Sequence, residues 1–180
     1  MEVDPGELID HGAEVGANNG FKRSEHWPAV EKAFLQQHPT CVVCGRADLP
    51  RNVHHTDAPF HFARYLGRPD LELDPRNLHT LCVAHDNEHH VLVGHFDDYE
   101  SFNPDLLAWV KKTKTMDAAT IRALAEWQEA VKTRPPFLSK MTQQQKIEMR
   151  KHLDALFPPD PNVLNKFPDA KPTPFPPPGK

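Results

Sequence analysis

Three cysteines and the histidines around them constrain this chain more than any periodicity in it. Cys41 and Cys44 form a C-x-x-C, and Cys82 follows with His85, His89 and His90 just beyond. Zinc takes four soft or borderline ligands in a tetrahedron, and a C-x-x-C turn supplies two from one loop. An odd number of cysteines suits a metal site in a reducing compartment better than a disulfide scaffold. A redox pair is the competing use of a lone C-x-x-C. Cys82 and twelve histidines, ten of them between His26 and His95, favour the metal. For the fourth ligand, His85 makes a C-x-x-H pair with Cys82 and His89 needs a longer excursion; spacing leaves both open.

The rest of the chain bounds what can surround such a site. With 180 residues, 38% of them apolar, it has room for one domain with extensions and a small core. No apolar run approaches the roughly 20 residues that span a bilayer, and the start, MEVDPGELID, is acidic with no apolar stretch behind it. We therefore expect no membrane partner and a cytoplasmic location. Charge is uneven: residues 1–40 carry −4, residues 41–100 carry −5 and residues 101–180 carry +5. A basic C-terminal half behind an acidic, histidine-rich middle is compatible with a phosphate-bearing partner if cations sit in that middle.

Pattern and turn residues divide the chain four ways. Residues 1–24, with four glycines and Asn18-Asn19, read as a flexible arm. Residues 25–103 hold the metal residues: a helix from about Pro28 to Gln37, the C-x-x-C turn, and a short strand ending in Val53-His54-His55. An ordered loop, a second strand over Leu78 to Cys82 and a helix from about His85 to Val93 follow. Residues 104–156 read as three helices: one to Lys112, one capped by Thr115 or Asp117 and running past Val131, and one from about Thr142 to Leu156. Residues 157–180 contain nine prolines and read as a polyproline-like or disordered tail, a tether for a protein partner.

Adjacent strand residues point to opposite faces, so His54 and His55 cannot normally both ligate one ion. They can divide the labour: one imidazole binds a metal while its neighbour takes a proton from water, a task suited to a side chain titrating near neutral pH. Two exposed edge histidines are the plain alternative. A second doublet, His89-His90, placed where a helix could return it to the same metal, counts against that.

Taken in order, the C-x-x-C, Val53-His54-His55, Asp74-Pro75-Arg76-Asn77-Leu78-His79-Thr80-Leu81-Cys82 and the terminal histidine cluster resemble the HNH nucleases of the ββα-metal type. The resemblance covers about Pro39 to Pro104 and is greatest to the small HNH endonucleases of bacteriophage and bacterial genomes. It implies an α+β fold: a small ββα-metal core with a structural zinc knuckle, flanked by added helices and the proline-rich tail. It makes His55 the general base, His54 a catalytic-metal ligand, and Asn77 the residue that pins the loop and orients the base. The family's Cys-His pair aligns with His89-His90, so His89 replaces a cysteine. His89 then completes the zinc site with Cys41, Cys44 and Cys82, with His85 as second choice. His90 becomes a catalytic-metal ligand and His95 a third. A rival register puts Asp86 and His90 on the catalytic ion.

The implied activity is metal-dependent hydrolysis of double-stranded DNA, in the cytoplasm of a host cell if phage-encoded. The implied cofactors are structural zinc and a catalytic Mg2+, Mn2+, Ni2+ or Zn2+ ion. Lys111, Lys112 and Lys114, with Arg150 and Lys151, are the basic clusters that could meet the DNA backbone. From a different class, a zinc-stabilised DNA- or protein-binding module with a degenerate HNH site is the alternative. Oligomeric state is left open.

Overall fold

A computed structural model describes residues 22–57, 59–84 and 88–176. It is an α+β arrangement around one two-stranded antiparallel sheet, β1 (Arg51–His55) and β2 (Leu78–Cys82), with His54 opposite His79 and His55 opposite Leu78. Side-chain alternation gives this small sheet two working faces. On one, Leu81 packs with Leu92 and Val93 of a π-helical segment, His90–Gly94. On the other, Val53 and Leu78 pack with Trp27 and Phe34 of helix α1 (Trp27–Gln37). Proline in its first turn starts α1 and His38-Pro39 ends it, as the sequence predicts.

Between the strands, helix α2 (Phe60–Tyr65) and two 3-10 turns, Pro69–Glu72 and Pro75–Asn77, form the expected ordered loop. After the π segment come α3 (Leu106–Lys112), α4 (Ala118–Ala123), α5 (Ala125–Thr133), α6 (Gln143–Leu156) and α7 (Pro161–Lys166). Asp117 caps α4 by accepting from the Thr120 N–H, and Thr142 with Gln145 forms a capping box on α6. The single helix expected from Asp117 past Val131 is two. Leu124 is extended (φ −68°, ψ 124°) between α4 and α5. Ile121 and Trp127, six residues apart, would diverge by about 120° on a continuous helix, and the break lets both enter one cluster.

Two further expectations are corrected. The helix from His85 to Val93 is replaced by the π segment, and residues 85–87 lie outside the described residues. The proline-rich segment is folded as far as it is described. Asp160 caps α7, Pro161 and Pro168 open helical turns, and Val163, Phe167 and Ala170 are buried against α1 and the sheet. Pro161 and Pro168 act as helix-starting residues, where the missing N–H costs nothing. The arm expected over residues 1–24 falls mostly outside the described residues, but the Ser24 N–H donates to the Glu72 carboxylate at 3.1 Å.

The apolar clusters ignore the boundaries drawn from composition. Cys41, Leu81 and Trp127 share one; Phe62, Leu71, Leu153 and Phe157 share another; Trp27, Val53 and Phe167 share the third. Arg68, fully buried, joins the second from within. Its guanidinium donates to Asp70, to Asp154 of α6 at 2.8 Å and to the Phe157 carbonyl at 2.7 Å. Among the described residues no helix is long and apolar enough to cross a membrane.

Candidate metal centres

Cys41 and Cys44 sit in a tight turn closed by the Gly45 N–H on the Cys41 carbonyl, with Gly45 at φ +71°, a region that favours glycine. Cys82 ends β2, and His89 immediately precedes the π segment. Their ligand atoms all lie within 4.8 Å of one another. Tetrahedral zinc with Zn–S bonds of about 2.3 Å sets sulfur atoms roughly 3.8 Å apart; Cys44 and Cys82 Sγ are 3.9 Å apart, and Cys41 Sγ is 3.6 Å from His89 Nδ1. His89 Nε2–H donates to the Met116 carbonyl at 2.8 Å, which leaves the Nδ1 lone pair facing the sulfur atoms. The thiols cannot ionise independently. The hydrogen bond from Cys82 pulls Cys41 well below the usual thiol range, the same bond and burial push Cys82 up, and burial raises Cys44. A cation among them resolves that competition. His89 thus joins the three cysteines, while His85 and Asp86 lie outside the described residues.

The second cluster joins the two sheet-side elements. His54 on β1 meets His90 and His95 at either end of the π segment, their ligand atoms again within 4.8 Å of one another. In an α-helix, residues five apart point some 140° from each other. The wider i→i+5 winding of a π segment brings His90 and His95 together, their Nε2 atoms 3.3 Å apart. His95 Nδ1–H donates to the Ser101 carbonyl at 2.7 Å and so turns its Nε2 lone pair toward the cluster. Both ring nitrogens of His54 are buried with no hydrogen-bond partner among the described residues. Gly94 makes this close packing possible, because a Cβ there would lie 2.9 Å from His54 Cε1.

Burial first, then His95 and His90, holds His54 well below the usual imidazole value, and burial lowers His95 to about 4. His54 and His95 are therefore neutral at pH 7, the form that ligates a cation. A histidine depressed on folding stabilises the fold above its unfolded value of 6.5 and loses that contribution as pH falls toward the folded value. Stability should decline between about pH 6.5 and about 4, and His95→Gln should flatten that part of a melting-temperature curve. A variant as acid-sensitive as wild type would show that His95 contributes no such term.

His55 points to the opposite face of β1. It packs on Trp27 with ring centroids 4.7 Å apart, and its Nε2–H donates to the Glu72 carbonyl at 3.1 Å, making Nδ1 the basic nitrogen. Asn77 ties the same region together. Its Oδ1 accepts from the Asp57 N–H at 3.0 Å and its Nδ2 donates to the Leu71 carbonyl at 3.0 Å, one residue from the carbonyl that holds His55. Glu72 in turn is fixed by Arg64 at 2.7 Å and by the Ser24 N–H.

The basic residues divide. Lys111 and Lys114 are exposed, while Lys112 pairs with Glu126 at 2.9 Å and lies over the Trp109 ring. Arg150 binds Asp154 and the Leu66 and Thr173 carbonyls, a structural use. Sequence reading missed Glu72, Gly94, Ser101 and the Met116 carbonyl, none of which belongs to a local pattern. Comparison of the chain with family models, with curated proteins and with solved structures finds no match.

Proposed function

We propose that this chain is a metal-dependent DNA endonuclease of the HNH, ββα-metal type, with Cys41, Cys44, Cys82 and His89 on a structural zinc and His54, His90 and His95 on a catalytic cation. The carrying observation is the splitting of the tandem histidines: His54 turns into a three-imidazole cluster, and His55 turns away onto a backbone carbonyl. The cluster fits a cation, because His54 has two buried ring nitrogens with no partner among the described residues and His95 is held in the ligating tautomer. Three imidazoles suit zinc, nickel or manganese, and a site that leaves positions for phosphate and water oxygens would tolerate magnesium.

A divalent ion bound there supplies Lewis-acid stabilisation of the charge that develops on a scissile phosphate. The chain's own work is proton transfer and positioning. His55, with Nε2–H held by the Glu72 carbonyl, accepts the proton of the attacking water at Nδ1. Asn77 keeps the Asp57 and Leu71 backbone in register so that this carbonyl stays in place. Lys111 and Lys114, exposed and in the C-terminal half of the sequence that carries the positive charge, would neutralise backbone phosphates.

Nicking of supercoiled plasmid in Mg2+, Mn2+, Ni2+ or Zn2+ tests the reading. His55→Ala should lower the rate about 10²- to 10⁴-fold while keeping zinc content and a cooperative melt, though at a lower melting temperature because the ring is buried against Trp27, and Asn77→Ala should lower the rate less. Wild-type cutting by His55→Ala would refute the base assignment. Zinc-loaded wild-type protein that nicks with none of these ions would favour a binding module instead.

A further inference from the structure

The π segment and the turn after it leave backbone groups that a continuous α-helix would satisfy, and side chains from later in the chain supply partners. Trp127 Nε1–H on α5 donates to the Leu92 carbonyl at 2.8 Å, and Asn103 Nδ2 donates to the Val93 carbonyl at 2.7 Å. Arg134, the residue after α5, donates through Nη1 to the Phe96 carbonyl at 2.7 Å and through Nη2 to Asp98 at 3.1 Å. Ser101 Oγ donates to the Pro135 carbonyl at 2.7 Å, and its own carbonyl is the one that holds His95.

Between these anchors lies strained backbone. Phe96 and Asp97, directly after His95, have φ of +49° and +65°, a region that disfavours side chains other than glycine. Such conformations persist only where the surroundings over-determine them. The guanidinium grips the carbonyl of one strained residue and the side chain next to the other, and so opposes their relaxation together with the Asp97 N–H on the Val91 carbonyl and the Asp98 N–H on the His95 carbonyl.

We propose that Arg134 is a positioning residue for His95: by clamping Phe96 and Asp98 it holds the strained turn that aims His95 at His54 and His90. The inference rests on the cation reading of that cluster. It also makes α5, which Arg134 directly follows, a support for the cluster, so a disturbance of that helix should reach the cation through Arg134.

The test is calorimetric titration with Mn2+ or Co2+ of protein whose Cys3His site is already loaded with zinc, with the visible spectrum of Co2+ as a second readout. Wild type should bind one further ion, and His54→Ala should bind none. Arg134→Ala should bind it about 10- to 100-fold more weakly, as the loss of an outer support of a metal ligand typically does, with a changed Co2+ spectrum and unchanged zinc content. Arg134→Lys, able to keep one of the two contacts, should recover part of the affinity. Wild-type affinity and spectrum in Arg134→Ala would overturn the inference while leaving the cation site standing. Absence of a further ion in wild type would overturn the cation reading itself, and this inference with it.

Discussion

Cys82→Ser protein, and wild-type protein stripped by a strong chelator, are expected to lose cooperative folding. Cys82 closes β2, and His89, seven residues on, immediately precedes the π segment, so a cation shared by them joins the sheet to the element that His90 opens and His95 follows. Cys41 and Val43 of the knuckle are buried in the same cluster as Leu81, Leu92 and Trp127. Structural zinc contributes roughly 10–16 kcal/mol of apparent binding energy that is also folding energy, against a typical total stability of about 5–15 kcal/mol. Without the cation the buried thiols compete for a proton, and a sheet of two five-residue strands is marginal alone. Elemental analysis should find one zinc per chain that survives dialysis, and circular dichroism of the stripped protein should show no sharp transition. A zinc-free protein melting at the wild-type temperature would remove this site from the account of stability.

How much of this was visible beforehand depends on whether a residue's task is set locally. The three cysteines announce themselves by type and spacing, and the tandem histidines by strand alternation, so the membership of the Cys3His cluster was within reach once His89 was weighed beside His85. The geometry of His90 and His95 was not. Five-residue spacing is wrong for an α-helix, and nothing in VLVG signals π winding until Gly94 is seen against His54. Glu72 and Arg134 act through backbone carbonyls and partners far along the chain, contacts with no sequence period. Proline content misled because composition counts residues without their positions: Pro161 and Pro168 stand where helical turns begin, which the Asp160-Pro161 pair itself hints at.

Truncation after Pro159 is the second change expected to have a large effect. As a tether the segment would be dispensable, but here it is part of the core on the His55 side of the sheet. Val163, Phe167 and Ala170 cover Trp27, Phe34, Val53, Leu73 and Leu78. Val163 and Phe167 alone represent about 1.5–3 kcal/mol each of apolar burial, and the residues they cover would be exposed as well. Further along, the Thr173 N–H donates to the Gly67 carbonyl and the Thr173 carbonyl accepts from Arg150, which also grips Leu66. Gly67, at φ +75°, leaves room for that crossing, since a Cβ there would stand 2.6 Å from Thr173 Oγ1. The truncated chain should therefore lower the urea midpoint severely or fail to fold. Phe167→Ala, a milder change, should lose about 3–5 kcal/mol with the zinc still bound. Trp27 fluorescence should report the loss directly, because the ring lies in the uncovered cluster and against His55. If both variants unfolded at the wild-type midpoint, the segment would be an appendage after all, and the His55 face of the sheet would have to be stabilised by α1 alone.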